Sequence, residues 1–120
     1  MLNMVVVIGK LAKPLQVRSL PNGISLACFD LQVLREDQSA DTVPVALFEV
    51  SKGIREWVAG TQLLVVGRVR RRFFRVGGGT QSRTEVVAEM AVPLEDTRGT
   101  RTALMAASSA LAGFAQGLGP

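Results

Sequence analysis

The segment Leu63-Leu64-Val65-Val66-Gly67-Arg68-Val69-Arg70-Arg71-Arg72-Phe73-Phe74-Arg75-Val76 begins as an unbroken apolar run and ends with arginines interleaved with phenylalanines. Its β-branched and aromatic content predicts one long strand. Gly77-Gly78-Gly79 reads as a flexible hairpin tip, and Ser82 to Val92 as the closing strand, with Val86, Ala88, Met90 and Val92 on one side. Alternate residues of a strand share a face. Arg68, Arg70, Arg72 and Phe74 therefore project together, and Val65, Gly67, Val69 and Phe73 are expected on an opposite face turned to the core.

Upstream, Asn3 to Arg18 contains Val5-Val6-Val7-Ile8, which suits a strand buried on both faces, with Gly9 at a bend or bulge. Pro14 should end ladder donation, and Pro21-Asn22-Gly23 is a turn signal, so the region reads as a long hairpin. From Ile24, Ala27, Phe29, Leu31 and Val33 alternate with Cys28, Asp30 and Gln32. A short polar loop, Glu36 to Asp41, leads to a third strand from Thr42 to Val50, in which Pro44 predicts an edge or a bulge. Ser51 is placed to cap a helix of about two turns ending near Ala59, and Gly60 to terminate it.

Three strands, a helix and two strands, with strands too long for a flat sheet, are the order of an all-β, five-stranded OB barrel with one short helix between strands 3 and 4. An SH3-like barrel lacks that helix. Composition shifts at about Pro93, so the expected division is an OB domain over 1–93 and a C-terminal extension over 94–120, polar and turn-rich to Thr102 and then Ala/Gly/Leu-rich. In the extension Leu104, Ala107, Leu111, Phe114 and Leu118 recur at helical steps. Thr102 to Ala112 is expected either as a helix docking on a partner subunit or as a frayed tail.

At 120 residues the chain has room for one domain, and 48% apolar against 20% charged residues places it among folded proteins. Histidine is absent and Cys28 is alone, which removes the usual zinc ligands, an intrachain disulfide and the commonest general base. Asp30 and Glu49 have no paired carboxylate in sequence reach, and Gly77-Gly78-Gly79 lacks the Lys-Ser or Lys-Thr of a phosphate loop. No enzyme, cofactor or metal is expected. Trp57 is expected in helix packing and Cys28 as an inert outward residue. No secretion signal or membrane span is read, so the expected location is cytoplasmic and nucleoid-associated.

The net charge is +4, yet Arg68 to Arg83 holds six arginines and no acid, so this stretch is +6 and the remainder −2. Guanidinium stacks on base faces and grips phosphate bidentately. Three guanidiniums followed in register by an aromatic are what single-stranded nucleic acid requires, with cations for phosphates and planes for unstacked bases. The plainer reading, a solubilising strand face, normally mixes Lys with Glu and lacks the in-register aromatic.

Asn3-Met4-Val5-Val6-Val7-Ile8-Gly9-Lys10-Leu11, Arg18, Pro21-Asn22-Gly23, Gly60-Thr61-Gln62-Leu63-Leu64-Val65-Val66-Gly67-Arg68-Val69 and Thr84-Glu85-Val86-Val87-Ala88 together resemble the bacterial single-stranded DNA-binding protein family, in the family's order over roughly residues 1 to 93. The resemblance implies an OB fold, usually a homotetramer, that wraps single-stranded DNA in replication, recombination and repair. It implies base-stacking roles for Phe48 and Phe74, basic DNA-proximal positions for Arg70 and Arg72, and positions near the DNA path for Lys10 and Arg18. With Arg68, Arg75 and Arg83 from the basic hairpin, these form the expected DNA-binding set.

The chain departs from that family in two places. Asp37 and Thr42 stand where further aromatics are common, which predicts weaker or more salt-sensitive binding. Nothing after Asp96 is acidic, so the acidic tip through which family members recruit repair enzymes is not expected, as in a short actinobacterial-type paralogue. The reading from a different class is an OB-fold assembly module with weak or no DNA binding, co-assembling with a longer paralogue. RNA is a further candidate ligand, since OB surfaces accept it and no reader of the 2′-OH is evident.

Overall fold

The computed structural model describes all 120 residues. Strand β1 (Val5–Leu11) lies along β5 (Gln62–Val76), from Val5 opposite Gly67 to Lys10 opposite Gln62. Its last two residues also pair with β3 (Ser25–Leu34), Lys10 with Gln32 and Leu11 with Leu31. Gly9 stands at this crossing, where a Cβ would lie 2.8 Å from the Gln32 carbonyl oxygen. The expected bend is thus a close approach of three strands, which only glycine permits.

The remaining pairings close a ring. β3 pairs with β4 (Ala40–Phe48), β4 runs parallel to β6 (Gly79–Pro93) at Val45 and Ala46, and β6 pairs with β5. β2 (Gln16–Ser19) is an added segment on β3, joined through the Pro21-Asn22-Gly23 turn. This five-stranded ring is an OB barrel, and the break at Ala12–Leu15 around Pro14 divides the expected first hairpin arm into β1 and β2. Pro44 lies inside β4 but one residue before the β6 pairing begins, so its missing N–H costs no ladder bond on that side.

Leu11, Ala27, Phe29, Leu31, Val45, Leu47, Leu63, Val65 and Val86 fill the barrel, with Ile54 and Trp57 packed against them. Full burial of each large aliphatic contributes about 1.5–3 kcal/mol. Helix α1 (Lys52–Arg55) is one turn, shorter than expected, and Ser51 makes no side-chain cap bond. The helix stops where the chain turns Trp57 onto the barrel.

Burial on both faces, expected of β1, belongs instead to the first half of β5. Leu63 and Val65 point into the barrel, and Leu64 and Val66 meet Ala103 and Ala107 of α2 (Thr97–Gln116). On β1, Val5 and Val7 pack on the core while Val6 and Ile8 remain exposed.

Helix α2 begins only three residues after β6. The Asp96 carboxylate accepts from the Gly99 amide at 2.9 Å, satisfying one of the helix's free N–H groups. It is longer than the expected 102–112, and it docks on its own barrel rather than waiting for a partner. The seam is alanine, whose small side chain lets the helix lie close to the sheet. Of the expected stripe only Ala107 is buried, and Leu104, Leu111, Phe114 and Leu118 are exposed.

Beyond Gly67 the hairpin leaves the barrel. Pairing of β1 with β5 ends at Gly67, and pairing of β4 with β6 stops at Val86, so within the sheet Arg68–Val76 and Gly79–Glu85 pair only with each other. At the exit Val66 faces Met90 and Gly67 faces Ala88, leaving Glu89 as the extra residue of a bulge. A Cβ on Gly67 would lie 2.1 Å from the Val87 carbonyl oxygen, so the crossing requires glycine. The ribbon's nine β5 residues reach about 30 Å. The core-facing side expected for the whole strand therefore holds only for Val65 and Gly67. Val69, at the rim of the barrel beside Pro44 and Val86, is 44% exposed, and Phe73, beyond the rim, is 65% exposed.

Candidate nucleic-acid interface

Directly opposed residues of paired strands share a face. Across the turn at Gly77-Gly78, Arg70 lies opposite Glu85, Arg72 opposite Arg83 and Phe74 opposite Gln81. On the other side of the barrel's outer surface Arg18 lies opposite Leu26, and Leu26 opposite Phe48. Contact between Arg70 and Phe48 joins the two halves into one surface, with the Arg70 Cζ 5.8 Å from the ring centroid.

At its centre is a carboxylate. The Glu85 side chain is only 3% exposed and holds both guanidiniums. Arg72 Nε donates to Oε1 at 3.0 Å and Arg70 Nη2 to Oε2 at 3.3 Å. So anchored, Arg70 lies over Phe48 and Arg72 over Phe74, the latter with Cζ 5.2 Å from the centroid. Each such contact is worth about 0.5–1 kcal/mol at an exposed site. The result is two cation-capped aromatic platforms at fixed spacing. Arg70 Nε is buried without a hydrogen-bond partner, a cost of about 1–3 kcal/mol that a rearranged guanidinium would relieve.

The other expected cations distribute unevenly. Arg83 shares this face and pairs with Asp30 at 3.5 Å, and Arg68 pairs with Glu89 at 4.0 Å. Lys10 is on the outer surface beside Gln32, six residues along β3 from Leu26, which is about 20 Å from the platforms. Arg75 lies opposite Thr80 on the reverse face of the ribbon, apart from Arg70 and Arg72. Asp37, where an aromatic is common in the resembled family, closes the β3–β4 turn. It accepts from the Ser39 hydroxyl and amide, and these bonds hold its carboxyl below the usual range.

Glu85 is the organising carboxylate that composition conceals, since it falls just beyond the acid-free Arg68–Arg83 stretch. Placing the turn at Gly77-Gly78 and counting outward puts it opposite Arg70, so its role was within reach of register counting.

Residues 2–94 match the Single-strand binding protein family. The chain is also 32% identical over 104 residues to "Single-stranded DNA-binding protein 2" of Staphylococcus aureus, covering 79% of this chain and 74% of that protein. An OB barrel whose outer face carries aromatic and guanidinium planes is the architecture of a single-strand binder. The chain belongs to the single-strand binding protein family.

Proposed function

We propose that the protein binds single-stranded DNA without catalysis and largely independently of sequence, protecting or organising it in replication, recombination or repair in the cytoplasm. The observation that carries this reading is the Glu85-anchored pair of guanidiniums laid over Phe48 and Phe74. Every base offers a π-face to such a platform and every nucleotide a phosphate to the arginines. Arg18, Arg68 and Arg83 extend the track, Lys10 meets a longer strand further along β3, and Arg75 adds charge on the reverse face. Homo-oligomerisation, as the tetramer that the resemblance implies, would cover Val6 and Ile8 on β1.

The assembly-module reading draws on the exposed Leu104, Leu111 and Phe114 of α2. Fluorescence anisotropy of labelled oligo-dT and a matched duplex, at low and moderate salt, separates the two. The single-strand reading expects tighter binding to dT, weakening with a logarithmic salt slope of about −0.7 per phosphate neutralised. Equal, weak binding to both DNAs would leave the assembly module.

A further inference from the structure

The cations of the platform face are largely spent on carboxylates. Arg68, Arg70, Arg72 and Arg83 are paired with Glu89, Glu85 and Asp30. On the reverse face of the ribbon Arg71, Phe73 and Arg75 lie opposite Thr84, Ser82 and Thr80, a row of hydroxyls. Neither Arg71 nor Arg75 takes part in any ion pair of the protein. Arg71 is nonetheless held in place: its Nε and Nη2 both donate to Ser82 Oγ, at 3.1 and 3.0 Å. That anchor sets its Cζ 5.3 Å from the Phe73 ring centroid. The ribbon thus repeats on its back the motif of its front, a tethered guanidinium on an aromatic ring, but with a hydroxyl anchor that leaves the positive charge uncompensated.

We propose that this reverse face is a second contact for single-stranded nucleic acid, so that one strand engages both sides of the ribbon. The proposal rests on the single-strand reading above. The chemistry favours a nucleic acid over an acidic peptide, since the face offers a ring for a base, guanidiniums for phosphates and hydroxyl donors at every second residue between them. The tip supplies a route from front to back. Gly77 and Gly78 have open space around the Cβ position, so a strand rounding the end meets backbone alone.

A short strand fills the front face, and only a longer one reaches the back, which makes length the discriminating variable. The experiment compares oligo-dT of about 8 nucleotides with one of about 35, the first within and the second well beyond the usual span of one OB surface. The proteins are the wild type, Arg71→Ala, and Phe73→Ala, which keeps the charge. Both variants should bind the short oligonucleotide within about two-fold of wild type and the long one about ten-fold more weakly. For the long oligonucleotide Arg71→Ala should also flatten the logarithmic salt slope by about 0.7, one phosphate's worth, with Phe73→Ala leaving it unchanged. Losses equal on both lengths, or absent from both, overturn the second contact while the single-strand reading stands. Failure of the wild type to prefer either oligo-dT over duplex would instead remove that reading and the second contact with it.

Discussion

The two halves of β5 are one continuous strand built on opposite principles. From Leu63 to Val66 both faces are covered, by the barrel interior and by α2, and every side chain is buried. From Arg68 to Val76 neither face is covered, and side chains are held by pairwise contacts: Arg70 and Arg72 on Glu85, Arg71 on Ser82. Gly67 and the bulge beside it mark the change within one residue. The strand's alternation is identical in both halves. What it separates differs, core from helix seam in the first and one open face of the ribbon from the other in the second.

That contrast is sharpest in stability. Leu63→Ala removes a fully buried side chain from the barrel and should cost about 2–5 kcal/mol in urea denaturation. Phe73→Ala removes a larger side chain from the ribbon and should change stability by less than about 0.5 kcal/mol. Comparable losses in the two variants would mean that the ribbon is packed in solution, against the barrel or another copy, and that its exposure is not a property of the working protein.

The fold is legible in the sequence wherever a local rule is also the global one. Ala27, Phe29 and Leu31 alternate with polar residues and are buried as expected, because β3 lies within the ring along its whole length. Val69 and Phe73 follow the same alternation and mislead, since no periodicity records where neighbouring strands stop. The α2 seam was hidden for a related reason. Helical spacing of large apolar residues predicts the buried stripe, yet close packing against a sheet selects Ala103 and Ala107. At the candidate interface Phe48, Phe74, Arg70 and Arg72 lie together, but the carboxylate that organises them falls just outside the acid-free stretch. Pairing register across the glycine tip is what places that carboxylate opposite Arg70.

Glu85 offers the next test of the difference between the halves. In Glu85→Gln an amide nitrogen replaces one carboxylate oxygen and cannot accept from a guanidinium. Arg70, whose bond to Glu85 is the longer at 3.3 Å against 3.0 Å, is the arginine expected to be released. Stability should fall by about 1–2 kcal/mol, the difference between charge-assisted and neutral hydrogen bonds. A freed guanidinium adds a phosphate contact, so the salt slope for oligo-dT should steepen by up to about 0.7. A shallower slope with weaker binding would mean that the guanidiniums work only while clamped, and that Glu85 orders the platform without masking its charge.

The smallest effect is expected where the two halves join. Ladder pairing of β1 with β5 ends at Val5 and Gly67, but the Asn3 side chain continues it by two residues. Its Nδ2 donates to the Val69 carbonyl at 2.8 Å, and its Oδ1 accepts from the Val69 amide at 2.9 Å. An amide side chain here imitates a peptide group and braces the base of the ribbon. Asn3→Ala removes both bonds from a solvent-exposed site, so the global cost should be about 1 kcal/mol or less, because water replaces each partner. The local consequence is more informative, since exchange of an exposed amide reports opening of its own segment. Val69 N–H should lose protection in hydrogen exchange while Leu64 and Val65 keep theirs, confining the loosening to the ribbon side of Gly67. If protection fell equally at Leu64, the glycine crossing would not separate two mechanical regimes, and β5 would open as a single unit from barrel to tip.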